Sequence, residues 1–265
     1  MDESAATSLA RAWELCYLDL QAARDIGHRL VAEHSGLAQA EGWLHVALAE
    51  VRLGGTVAAQ QALKLAREGY LAATAAPAGQ ARGVALCDEV EAIARRSQGD
   101  YAGSAALQAE LDARLGFERD DMHAFISHNS RAITYKLMGQ ADAALRHFYA
   151  ASDAAHRTGY AGPRITALAN LGGYQHDLYN LDDACRLCQQ ALAAAREAGV
   201  AHATITTASN LVIIHHAKGD MAQARAMAQF LLDGRDQWPP ATLWRYAMPL
   251  ALGHLATGEI DAAMS

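Results

Sequence analysis

The feature that most constrains this chain is a period. Seven segments share one punctuation, in which a helical run closes at a turn and a small residue follows a few positions on. They read LDLQAARDIG (18–27, the weakest copy), GGTVAAQQAL (54–63), GDYAGSAALQ (99–108), GQADAALRHF (139–148), NLDDACRLCQ (180–189), GDMAQARAMA (219–228) and GEIDAAMS (258–265). Aligned on the small residue they give Ala23, Ala59, Ser104, Ala144, Ala184, Ala224 and Ala263, at spacings of 36, 45, 40, 40, 40 and 39. Equal spacings in succession mark a repeat array, whose units bury their apolar faces against one another. After the small residue the pattern runs small–x3–apolar–x2–apolar, as in Ala59/Leu63/Ala66, Ala144/Phe148/Ala151, Ala184/Cys188/Ala191 and Ala224/Ala228/Leu231. Offsets of 4 and 7 fall on one helical face. Each unit therefore reads as two helices, A and B, with the small residue letting B approach A closely.

Composition fits helices and narrows the partners. Hydrophobic residues make up 52% of the 265 and charged residues 19%, with only five prolines, and an Ala-, Leu- and Glu-rich chain favours helix. The net charge is −7 and no Lys/Arg cluster exceeds a pair such as Arg95-Arg96. Nucleic acid demands clustered cations to neutralise phosphates, so no nucleic-acid partner is expected. The start, MDESAATS, lacks the basic and apolar regions of a secretory signal, and the longest uncharged run near the C-terminus, 246–258, is too short to span a bilayer. Four cysteines do not make a disulfide framework. No membrane partner is expected, and a cytoplasmic location.

The turn and packing positions carry a resemblance. Trp43, Val46 and Ala47 precede Gly54, Ala132 and Tyr135 precede Gly139, and Leu171-Gly172 and Leu211 with Gly219 repeat the arrangement. The chain resembles the tetratricopeptide repeat (TPR), which marks helix A with Trp, Leu and a small residue, then Tyr and a turn Gly, and helix B with Ala–Phe–Ala. The resemblance covers residues 5–265 and is strongest over 120–232. It departs in its period, near 40 where the family has about 34, and in the missing closing Pro, which implies helices about a turn longer than usual. It implies an all-α fold, a right-handed α-solenoid of stacked antiparallel helix pairs with six to seven repeats. The single array 1–265 divides near 5–35, 37–74, 80–116, 121–158, 162–198, 202–234 and 241–265. Trp238-Pro239-Pro240 separates the last unit, since Pro breaks a helix interior. The final B helix, starting near 260, stops after a few residues, and an uncapped solenoid end bares an apolar face, so the natural polypeptide is expected to continue.

Residues that suggest chemistry have structural readings. Cys185-x-x-Cys188 lacks the strand context of a redox motif, and Cys188 occupies the register of Phe148, where a free Cys acts as a small hydrophobe. Of the twelve histidines, His215 aligns with Tyr135 on the packing side and His216 with His176 and Lys136, while His123 and His128 stand apart. A zinc site needs three or four converging ligands, so no metal or cofactor is expected. Asp120-Asp121 and Asp182-Asp183 sit where helices begin and complement their N-termini. No phosphate loop or GxSxG turn occurs, and the segment is read as non-catalytic.

The A helices carry a polar ladder. Fourteen residues before the aligned small residue stand Ser130, Asn170 and Asn210, with Asn129 adjacent. Asn is unfavourable mid-helix because its side chain competes for the backbone. The TPR resemblance places this position on the concave surface, where such side chains hold the backbone of an extended peptide; an amide offers donor and acceptor together. Lys136, His176, Asp177 and His216 follow one and two turns on, and Thr166, Thr206 and Arg245 come one turn before. A purely structural role, bonding to neighbouring helices, is the competing reading. Gly172-Gly173 interrupts the ladder at a cost of roughly 1 kcal/mol per Gly. Gly172 is read as the helix-crossing position (Ala47, Ala132 and Val212 elsewhere), and Gly173 as a dent beside Asn170 where other copies have Leu48, Ile133 and Ile213.

The expected function is a protein- or peptide-binding module using Asn129, Ser130, Lys136, Asn170, Gly173, His176, Asp177, Asn210, Ile213 and His216. The resemblance extends to arrays that precede effectors in bacterial signalling proteins, diguanylate cyclases and transcription factors among them, which implies a sensory or regulatory segment. A homo-oligomerisation scaffold is the alternative.

Overall fold

A computed structural model describes residues 3–73, 76–114 and 120–234, with 251, 254, 255 and 258. The Trp238-Pro239-Pro240 break, Arg245 and Ala263 lie outside the described residues. The described residues form twelve α-helices and no strand: α1 (Glu3–Leu15), α2 (Leu20–Glu33), α3 (Leu37–Leu53), α4 (Thr56–Ala72), α5 (Pro77–Ser97), α6 (Tyr101–Arg114), α7 (Asp121–Leu137), α8 (Ala141–Arg157), α9 (Ala161–Asp177), α10 (Leu181–Glu197), α11 (Ala201–Ala217) and α12 (Met221–Gly234). Odd-numbered helices are A and even-numbered are B.

Contacts divide the chain into two compact units, Met1–Pro163 and Arg164–Ser265. In the first, each helix packs on its neighbour in sequence, and the A helices also meet, α1 on α3, α3 on α5 and α5 on α7. In the second, α10 packs on α11 and α11 on α12. Short connections fold successive helices back on one another, which gives the stacked antiparallel pairs of an α-solenoid.

From α7 onward the geometry is strictly periodic. Helices of seventeen residues alternate with three-residue connections as far as the start of α12, which accounts for the forty-residue period. The middle residue of each connection has positive φ: Gly139 72°, Gly159 73°, Tyr179 62°, Gly199 67° and Gly219 75°. In four of them the following N–H returns to the carbonyl five residues back, at 2.9 Å for Gln140→Tyr135, Asn180→Gln175 and Asp220→His215 and 3.0 Å for Val200→Ala195. This closure satisfies orphan carbonyls of the preceding helix and requires a left-handed residue, normally Gly. Tyr179 meets the same demand with a side chain, and is the one non-glycine at positive φ among the described residues. The following helix starts on a side-chain cap at Asp120 (from the His123 N–H, 2.8 Å) and Asp220 (from the Gln223 N–H, 3.2 Å), as suits an orphan N-terminal amide.

The aligned small residues Ala23, Ala59, Ser104, Ala144, Ala184 and Ala224 are all buried, and so are their B-helix companions Leu63, Phe148, Cys188 and Ala228. Helix crossing at this row leaves little room. A Cβ on Gly172 of α9 would stand 2.7 Å from Cys188 Sγ, 3.2 Å from Leu187 Cβ and 3.3 Å from the Ala184 carbonyl, all on α10. In the second unit the core joins Ala184, Cys188 and Leu192 of α10 to Ile205, Leu211, Val212 and Ile214 of α11 and Ala228 and Leu231 of α12.

Candidate functional site

In the first unit α7 carries Asn129, Ser130 and Lys136. Lys136 is exposed, while Asn129 and Ser130 are buried. The Ser130 hydroxyl accepts from Arg96 Nη1 of α5 at 2.8 Å and from Gln108 Nε2 of α6 at 3.0 Å, and its carbonyl accepts from Arg96 Nη1 at 2.8 Å. Gln108 also donates to Glu89 Oε2 (3.3 Å), and Arg131 donates to the Gln108 carbonyl and to Asp112 Oδ1, each at 3.0 Å. Arg131 further stands 3.8 Å from Glu89 Oε1, with both side chains almost wholly buried. The expectation of a ligand-facing Ser130 is corrected here: its hydroxyl is engaged in a polar joint that ties α5, α6 and α7 together. Burial makes such a joint stabilising to the extent that its members are satisfied; the cross-helix hydrogen bonds do this for Ser130, Gln108 and Glu89 Oε2, while Glu89 Oε1 takes part through the ion-pair approach of Arg131. Sequence reading missed Arg96 and Gln108. The available signal was Ser104, a hydroxyl at the small-residue position of α6, whose Oγ lies 3.4 Å from Thr134 Oγ1.

In the second unit the ladder stays closer to the surface. Asn170 on α9 and Asn210 on α11 are both half-buried, and the Asn210 side chain has no hydrogen-bond partner among the described residues. One turn on, Ile213 and Gly173 are half-buried, and a Cβ on Gly173 would meet no atom within 4 Å. The two adjacent glycines therefore differ in kind, one pressed against α10 and the other facing open space. His176 is half-buried, with Nδ1 3.5 Å from Asp177 Oδ1, and Asp177 and His216 are exposed. This places a polar, half-open strip on the A helices, with amides at corresponding positions of α9 and α11.

The cysteines and histidines behave as interior groups. Burial pushes the Cys188 thiol up to about 12, with Cys185 nearby adding to the effect. Burial likewise raises Cys185 and lowers His215, which outweighs the nearby Asp220 carboxylate. Cys185 Sγ and His215 Nε2 are 3.8 Å apart. Both groups are thereby held neutral, which is the reverse of a thiolate–imidazolium nucleophile. No three His, Cys, Asp or Glu side chains converge to hold a metal ion among the described residues. Nor is any helix among them long and apolar enough to cross a membrane.

Paired helices closed by left-handed turns and stacked on small residues define the class of fold, a TPR-like helical repeat. The solved structures it is similar to make that concrete. A Rap protein complexed with competence and sporulation factor matches with a TM-score of 0.66 at 14% identity, over 99% of this chain and 74% of that one. Aspartyl phosphate phosphatase F from Bacillus subtilis matches at 0.59 and 13%, over 99% and 70%. BtubC (BKLC) from P. vanneervenii matches at 0.60 and 18%, over 77% and 85%. No protein-family model matches the chain, and no curated protein matches it in sequence.

Proposed function

We propose that this chain is a non-catalytic protein- or peptide-binding repeat module, the regulatory part of a signalling protein, and that it holds an extended peptide segment on its A-helix faces. The observation that carries the reading is the half-buried amide of Asn210, which has no hydrogen-bond partner among the described residues and stands one forty-residue register from Asn170; Gly173, three residues after Asn170, faces open space. A primary amide presents a donor and an acceptor at once and can match a peptide unit whatever the side chains on either side. A Rap protein of similar fold is known in complex with competence and sporulation factor, which supports a stack of this kind accommodating a partner. The polar side chains of His176 and His216 and the carboxylate of Asp177 add groups that set specificity more than affinity.

The test is capture of an immobilised array of random heptapeptides by the labelled chain. A subset of sequences is expected to retain wild-type protein and to lose most of that retention with Asn210→Ala and with Gly173→Leu. Retention by both variants equal to wild type, with circular dichroism showing intact helices, rules the reading out.

A further inference from the structure

Between α10 and α12, over α11, the second unit contains a cavity of about 240 Å³ that owes nothing to the A-helix strip. Three helical faces build it: Leu192 and Arg196 on α10, Leu211 and His215 on α11, and Gln223 and Met227 on α12, each pair four residues apart. That spacing aligns the two members of each pair on one side of their helix. Gln189 and Ala193 complete the α10 wall, and no acidic side chain lines the cavity among the described residues.

Arg196 is the cationic donor of the lining. Arg196 is exposed, its guanidinium carbon 5.3 Å above the Phe230 ring, and it makes no ion pair among the described residues. His215 is 6% exposed. The Cys185 thiol lies 3.8 Å from its Nε2. The carboxylate near Nδ1, Asp220 Oδ2, is 3.8 Å away, beyond hydrogen-bond reach, and Nδ1 has no hydrogen-bond partner. The amides of Gln189 and Gln223 add further donors at the rim. Leu192, Leu211 and Met227 supply the apolar surface. Forty residues earlier in sequence, the positions of Ala193 and Gln223 are held by Asp153 and Asp183. The preceding level therefore has two acids in sequence register with this acid-free lining.

We propose that this cavity binds a small organic carboxylate with an apolar body, the carboxylate against Arg196 and the body on Leu192, Leu211 and Met227. A charge-assisted bond from a guanidinium to a carboxylate is among the stronger polar contacts available, and pairing there gives a counter-ion to a cation that has none among the described residues. A free carboxylic acid and the C-terminus of a peptide ending in an apolar residue share this chemistry.

The experiment titrates the 265-residue chain with 4-phenylbutyrate and with acetyl-Gly-Gly-Leu, each beside its uncharged C-terminal amide. The signal is the Met227 methyl resonance in protein labelled with [methyl-13C]methionine and assigned through Met227→Leu. Ligands of this size bind with dissociation constants on the order of 1 mM. At least one carboxylate is expected to shift the Met227 methyl, with its amide weaker by about tenfold, as a lost charged hydrogen bond implies. Response to the free acid alone, or to the peptide alone, identifies the source. Arg196→Gln is expected to bring acid and amide to the same affinity, and Ala193→Asp, which restores an acid at an exposed rim position, to abolish binding of the acid. Failure of both carboxylates to shift the methyl, or equal affinity of acid and amide in the wild-type protein, overturns the proposal.

Discussion

Replacing each of the two adjacent glycines of α9 by alanine should move stability in opposite directions. Alanine gains about 1 kcal/mol over glycine in a helix interior at either position. At Gly173 nothing within 4 Å opposes the new methyl, so Gly173→Ala should stabilise by about that amount and raise the thermal midpoint by roughly 2–4 °C. At Gly172 the methyl meets Cys188 Sγ at 2.7 Å, with Leu187 Cβ and the Ala184 carbonyl at 3.2 and 3.3 Å. Cys188 is fully buried, so its sulfur has no solvent to move into. Overpacking of this kind costs about 1–3 kcal/mol, which outweighs the propensity gain and leaves Gly172→Ala neutral to about 2 kcal/mol less stable. Cys188→Ala removes the nearest atom, so the double variant Gly172→Ala/Cys188→Ala should be more stable than the two single effects predict, by about 1 kcal/mol. Urea and thermal melts followed by circular dichroism at 222 nm measure all four proteins. Additive behaviour of the pair, or a Gly172→Ala protein as stabilised as Gly173→Ala, would refute the assignment of Gly172 to the crossing.

Three further outcomes are expected. Tyr179→Gly should stabilise by about 0.5–1 kcal/mol in urea titration, because a left-handed non-glycine costs about 1–2 kcal/mol, glycine loses part of that in unfolded-chain entropy, and a side chain 83% exposed forfeits little burial; a loss of stability would mean that Tyr179 makes contacts that its exposure does not reveal. Arg131→Met should destabilise the first unit by about 3–5 kcal/mol, since it leaves the buried Glu89 carboxylate without the arginine 3.8 Å away, and hydrogen exchange should show the loss in α5–α7 while α10–α12 keep their protection. Acidification should destabilise the fold. Burial lowers His45, His147 and His215 below the ordinary imidazole value, so just below pH 6.5 the unfolded chain takes up protons that the folded chain refuses, and stability falls with pH. Asp120 is held low by its bonds to the His123 N–H and Arg82, against the opposing effect of burial, and adds a further loss at more acid pH. A urea midpoint unchanged between pH 7.5 and 5.5 would contradict the neutral assignment of the three histidines.

The architecture was largely legible because its determinants repeat. Ala144/Phe148/Ala151 and Ala184/Cys188/Ala191 announce a buried B-helix face by spacing alone, and their burial follows from it. Turn chemistry was read less well. The segment NLDDACRLCQ opens on Asn180, yet the left-handed position falls one residue earlier, on Tyr179, where the strict twenty-residue spacing of Gly139, Gly159, Gly199 and Gly219 puts it. The polar ladder was legible as a register and not as an environment. Ser130 shares its place in the period with Asn170 and Asn210, but its surroundings depend on Arg96 and Gln108, side chains from the irregularly spaced third unit. The cavity beneath Arg196 left a fainter trace. It depends on the joint absence of acids on two helices, and an absence has no periodicity to draw the eye.

The three-residue connections restrict how such a chain can change length in evolution. Each added or deleted residue within a helix turns everything beyond it by about 100°, so a single-codon insertion in α7–α11 would swing the small-residue row away from its partner. Growth by whole units leaves the register intact, and so, nearly, does growth by one helical turn. The third unit bears the mark of the second route: α5 has 21 residues where its regular counterparts have 17, an excess of four that returns its faces to within about 40° of their former direction. Length variants of this protein should therefore be found at the ends of the array or in steps of about one turn, and the five successive left-handed connections should be the last segments to accept an insertion.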